Sequence, residues 1–162
     1  MLNKKFLAVF LFIFCFAATA YAGSHKDLYT ELIDIEGWTA GKPTGMSVPG
    51  MMLNVSREYK KGDGRLTVMI TANKMAPAPV TRESESRKQI LEASGIEVKN
   101  ETIDGFNVNK RYQGAKKSGE ITVYLNNNSM MILSYKKLPK NQALELAKKF
   151  NWANIKKKLD TF

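Results

Sequence analysis

Cysteine and histidine are almost missing from this chain, which holds one of each. The cysteine, Cys15, lies within the first 22 residues, so the remainder forms no disulfide and offers no thiolate nucleophile or ligand. With His25 as the only imidazole, hydrolytic catalysis of the serine–histidine–acid kind has no convergent set, because Ser24 and Asp27 sit on the same turn as His25. Glycine-rich phosphate loops, HExxH and EF-hand patterns are absent, as are the helix-turn-helix and RNP-like segments of nucleic-acid binders. Glu58, Asp63 and Asp104 are acid/base candidates by type, but Asp63 and Asp104 fall at expected turns, where Asp serves the backbone. These absences point away from an enzyme and from nucleic acid.

Long apolar runs are also lacking, with one exception. Lys4 and Lys5 precede an apolar stretch over residues 6–16, and Ala20-Tyr21-Ala22 supplies a small-x-small cleavage site, so residues 1–22 read as a secretory signal peptide. The stretch is short for a bilayer span and no second one follows. Phe14 before Cys15 does not fit a lipoprotein signal. A periplasmic or secreted protein is expected, with residues 23–162 as one domain of 140 residues, long enough to bury its own core.

Loss of Lys4 and Lys5 with the leader lowers the formal charge from +10 to +8, which favours anionic partners through long-range attraction. The lysines come in groups, Lys60-Lys61, Lys116-Lys117, Lys136-Lys137, Lys148-Lys149 and Lys156 to Lys158. Such groups at turns and on helix surfaces serve solubility, or they engage an acidic protein or another anionic envelope component.

Ser24 and Asp27 form a capping-box pattern before Leu28, Leu32 and Ile35, which predicts a short amphipathic helix. Residues 37–50, with Gly37, Gly41, Pro43, Gly45, Pro49 and Gly50, read as a loop or irregular edge. Alternation over residues 52–60 and 65–72 around Gly62-Asp63-Gly64 predicts a β-hairpin. After Pro77 and Pro79, Thr81 is the expected cap of a polar helix that runs to Ala93 and stops at Ser94-Gly95. Strands follow at 96–103, 106–113, 120–125 and 130–135, with turns at Asp104-Gly105, 114–119 and 126–129. Tyr59, Phe106, Tyr112, Tyr124 and Tyr135 fall within the strands as sheet packing. Ala143, Leu146, Ala147 and Phe150, then Trp152, Ile155 and Leu159, give a C-terminal helix its apolar stripe.

The order predicts an α+β fold: one antiparallel sheet of about six strands packed with N-terminal, middle and C-terminal helices. The segments Arg57-Glu58-Tyr59, Gly62-Asp63, Leu66-Thr67-Val68 and Ile103-Asp104-Gly105-Phe106 resemble those of a group of small exported bacterial proteins. The element order resembles the PsbP-type sandwich of lumenal and periplasmic proteins. That resemblance implies a non-catalytic binding or assembly role, and carries no site residue onto this chain.

Two candidate sites remain. Cleavage after Ala22 exposes Gly23-Ser24-His25, whose amine, two amides and imidazole resemble the amino-terminal copper and nickel motif, a square-planar nitrogen site. Its use competes with the Ser24 cap. Met46, Met51 and Met52 could add thioether ligands for Cu(I), or could form an apolar partner surface with Trp38. Met69, Met130 and Met131 lie in expected strands as core filling.

Overall fold

A computed structural model describes residues 24–75 and 85–162. The expected leader, Gly23 and the Thr81 cap lie outside the described residues. The chain is an α+β fold in which one eight-stranded antiparallel sheet packs against several helices.

The strands are β1 (Thr39–Ala40), β2 (Thr44–Val48), β3 (Met52–Lys61), β4 (Gly64–Asn73), β5 (Ile96–Ile103), β6 (Phe106–Gln113), β7 (Ser118–Asn126) and β8 (Ser129–Lys136). They lie in the order β1-β3-β4-β8-β7-β6-β5, with β2 on the same edge of β3 as β1. Two strands more than expected arise from residues 37–50. Gly41 and Pro43 break that edge but do not abolish it: Gly41 N–H donates to the Glu58 carbonyl, and Thr44 to Val48 pair with Ser56 to Met52. At Gly45 a Cβ would lie 2.7 Å from the Asn54 carbonyl oxygen and from Val55, so only glycine seats the strand this closely.

Alternation divides the sheet into two faces. Leu53, Val55 and Tyr59 on β3, Leu66, Val68 and Ile70 on β4, Met131, Leu133 and Tyr135 on β8, and Ile121, Val123 and Leu125 on β7 are buried on one face. This helix face is covered by an N-terminal 3-10 helix (His25–Glu31) and by two C-terminal helices. The expected single C-terminal helix is interrupted at 149–151, and Asn151 caps the second piece through the Asn154 N–H. With α1 as the middle helix (Glu85–Ala93), these are α2 (Lys140–Lys148) and α3 (Trp152–Asp160). The opposite, open face is covered by α1 near β5, where Val98 is buried apart from the main core.

The N-terminal cap forms as the sequence implies: the Ser24 hydroxyl accepts from Lys26 N–H and the Asp27 carboxylate from Ser24 N–H. Leu28, Leu32 and Ile35 are all buried. Glu31 accepts from Asn154 and pairs with Lys158 at 2.6 Å, which fastens this helix to α3.

Arg57 and Tyr59 hold the segment between the N-terminal helix and β2. The Arg57 guanidinium donates to the carbonyls of Gly41 and Leu32 and to the Asp34 carboxylate, and the Tyr59 hydroxyl donates to the Ile33 carbonyl. Arg57→Ala should cost about 1–2 kcal/mol in urea unfolding, because it leaves the carbonyl of buried Leu32 without its donor, whereas water can replace the donor at the exposed Gly41 carbonyl. Asp34, whose side chain is 86% exposed, should cost under about 0.5 kcal/mol when replaced by Ala.

Burial raises both Tyr59 and Tyr135 to about 12; at Tyr135 the neighbouring Tyr112 and Glu97 add to it. A raised folded-state value means that the stabilisation from neutral tyrosine is intact below the unfolded value near pH 10 and is lost as pH rises through about 12. Alkaline titration followed by tyrosinate absorbance and near-UV dichroism should show two late-ionising tyrosines, whose ionisation coincides with unfolding.

Candidate functional site

The open face carries a cleft of about 630 Å³ across one end of the sheet. Its floor follows directly from strand register. Lys60 stands opposite Arg65, Arg65 opposite Lys136, Lys136 opposite Ser118, Ser118 opposite Gln113, and Gln113 opposite Ile96. One row further in lie Glu58, Thr67, Ser134, Glu120 and Arg111. Leu91 of α1 and Ile96 form an apolar wall at the β5 side.

Three cations therefore sit side by side on adjacent strands, an arrangement that costs stability unless an anion answers it. Arg65 turns its guanidinium back onto the carbonyls of Gly62 and Gly64. Arg111 pairs with Glu120 at 3.6 Å.

The cation row is the inner part of a larger basic end. The end of β3 brings Lys61, the β6–β7 connection brings Lys116 and Lys117, and the β8–α2 connection brings Lys137. Their closeness is fixed by contacts: Leu138 N–H donates to the Lys117 carbonyl, and Lys137 reaches Asp63 at 3.1 Å. Lys117 and Lys137 both hold left-handed backbone, φ 46° and 57°. Glycine or asparagine adopts that conformation at lower cost, so two lysines there are kept against local preference.

Beneath the floor, Gly119 makes room for Tyr135. A Cβ at this position would stand 2.2 Å from the Arg111 carbonyl oxygen and 2.6 Å from the Tyr135 hydroxyl. Tyr59, Tyr112 and Tyr135 thus turn their rings to the helix face and give the cleft no aromatic platform.

The residues singled out from sequence lie elsewhere. Trp38 is half-buried against the core beside Gly64 and Leu138, at the basic end of the β3–β4 hairpin. Met52 pairs with Asn73 at its other end, with Met46 on the neighbouring strand and Met51 in the β2–β3 turn, so Trp38 does not share a surface with these methionines. Met46, Met51 and Met52 are exposed, at 55%, 40% and 37%. His25 bonds Ser47 at 3.0 Å and meets the Tyr29 ring edge-on. Ser47 faces the helices while Met46 faces the other way, so β2 separates the imidazole from that thioether. The Ser24 amide is engaged by Asp27. Among the described residues no group of three or more His, Cys, Asp or Glu could hold a metal ion, and no helix is long and apolar enough to cross a membrane.

The cleft was not among the sites expected from sequence. Its signal was present in the lysine doublets at three turns, but what unites them is the pairing of β4 with β8. Comparison with protein-family models, curated proteins and solved structures finds no match.

Gly119→Ala should destabilise the fold by about 2–3 kcal/mol, because the clash involves a strand carbonyl as well as a side chain. Adding Tyr135→Phe should recover only part of that loss in denaturant titrations.

Proposed function

We propose that this is an exported, non-enzymatic binding or accessory protein of the cell envelope, and that its basic end and adjoining cleft receive an anionic partner. The observation that carries this reading is the convergence of Lys60, Lys61, Arg65, Lys116, Lys117, Lys136 and Lys137 on one end of the sheet. Dispersed lysines would serve solubility, whereas clustered ones create a directed field. The left-handed lysines at 117 and 137 support a role beyond the fold.

The binding role also accords with the chemistry of the cleft. Its hydroxyls, on Thr67, Ser118 and Ser134, have no imidazole to activate them, since the only histidine is held by Ser47 on β2. An export signal over residues 1–22 would place the protein in the periplasm or outside the cell. The sheet with helices on both faces is in keeping with a PsbP-like sandwich, a relation proposed on element order alone. The rival copper-handling role through Gly23, Ser24 and His25 would require the N-terminal cap to open.

Retention of the envelope partner on the immobilised protein should be strong at low ionic strength and lost near 1 M salt, where screening falls to about 3 Å. Lys60→Glu with Lys136→Glu should weaken it about tenfold or more. Lys117→Gly and Lys137→Gly should also weaken it, while leaving stability unchanged or higher by up to about 1 kcal/mol. Salt-insensitive retention, or retention untouched by the charge reversal, would overturn the assignment.

A further inference from the structure

The two edges of the sheet are unlike. On β5 the outer strand carries Glu97, Lys99 and Glu101, with Glu101 paired to both Lys99 and Lys110, and α1 packs against it. Charged edges of this kind resist the addition of another strand. On the opposite side, β2 has no further strand beside it among the described residues. No charged side chain occurs from Pro43 to Ser56, in a protein in which a quarter of residues are charged. Pro43 and Pro49 flank β2, but none of its own five residues is proline, so every one keeps its N–H.

The side chains around this edge form an apolar seam. Met46 and Val48 project from β2 onto the open face, where Met52 stands opposite Val48. All three are exposed, as is Met51 in the turn. On the helix face β2 presents only Gly45 and Ser47, both small.

We propose that the β2 edge pairs with β2 of a second copy of this chain, antiparallel, about a two-fold axis through Met46. That register sets Met46 opposite Met46, Gly45 opposite Ser47, and Thr44 opposite Val48. It joins the two sheets and brings the two methionine seams together on one face, and it closes on itself as an isologous contact. A slip by one residue would turn the exposed apolar side chains to opposite faces, which disfavours the neighbouring registers. The choice of a second copy rests on charge. A molecule of high positive charge meets itself at least electrostatic cost across a surface free of lysine, and β2 with its turn is such a surface. The basic end lies away from it, since β2 pairs with residues 52–56 of β3 whereas Lys60 and Lys61 are at that strand's far end.

Sedimentation equilibrium of the protein purified from its own host tests this pairing. A reversible, concentration-dependent dimer is expected, little weakened by salt because the contact is uncharged. Met46→Lys places two like charges directly opposite each other and should weaken the dimer at least tenfold. The double change Thr44→Lys with Val48→Glu instead creates two opposite-charge pairs in the proposed register, so dimerisation should survive and become salt-sensitive. Far-UV dichroism and the urea midpoint of each variant should match those of the parent, which separates loss of pairing from loss of fold. A parent that stays monomeric at millimolar concentration, or a dimer indifferent to Met46→Lys, would overturn the proposal. Neither result bears on the anionic partner of the basic end, which is read by salt-sensitive retention.

Discussion

The pairing of β4 with β8 is the constraint on which both the fold and the cleft depend. Every other main strand contact is between near neighbours: β2, β3 and β4 form one meander, and β5 to β8 another. Residues 74–128 separate the two strands that join them, so this contact carries the largest loop-closure cost in the sheet. What offsets it is apolar. Val68 faces Leu133 and Ile70 faces Met131 on the helix face, and all four are inaccessible to solvent. The same register that buries these pairs sets Arg65 beside Lys136 on the other face. Core packing therefore holds the like charges together, and the electrostatic cost is borne by a junction strong enough to carry it.

Around that junction the polar interactions fasten segments that have little apolar surface of their own. Residues 32–41 contain two glycines' worth of turn and edge rather than regular structure, and Arg57 and Tyr59 hold them by their carbonyls. Tyr59 also packs edge-on against Phe150 before α3, so one buried ring links the N-terminal segment, the sheet and the C-terminal helices. Glu31, Asn154 and Lys158 make the second link between the chain's two ends. These bonds lie on the helix face, away from the row of Lys60, Arg65 and Lys136 on the other face.

Local pattern was the legible part of the sequence. Hairpins around Gly62-Asp63 and Asp104-Gly105, the Ser24 capping box and the stop at Gly95 are each set within a few residues, and the structure has them. The β1 and β2 strands were obscured because Gly41, Pro43 and Gly45 carry turn chemistry, whereas here Gly45 serves close approach to β3. The break between α2 and α3 was masked by an apolar stripe that continues through Phe150 and Trp152, both buried. The cleft was illegible for a different reason. Lysines at turns are the commonest solvated residues, and nothing local to residues 60, 65 or 136 says that β4 and β8 are neighbours.

Basic end and uncharged edge place opposite demands on one molecule, and the strand directions reconcile them. Asn54 lies opposite Met46, and Lys60 is six residues farther along β3, about 20 Å at strand spacing. An antiparallel two-fold at Met46 reverses the second copy, so the two basic ends would stand about 40 Å apart and point in opposite directions along the sheet. That distance is several Debye lengths at physiological salt, where each is about 8 Å. Mutual repulsion would then oppose pairing very little, despite the charge on each chain. The same geometry would set two basic ends on one rigid body, and if each takes the proposed anionic partner, an extended anionic surface with sites at that spacing would be held with higher avidity than by one end alone.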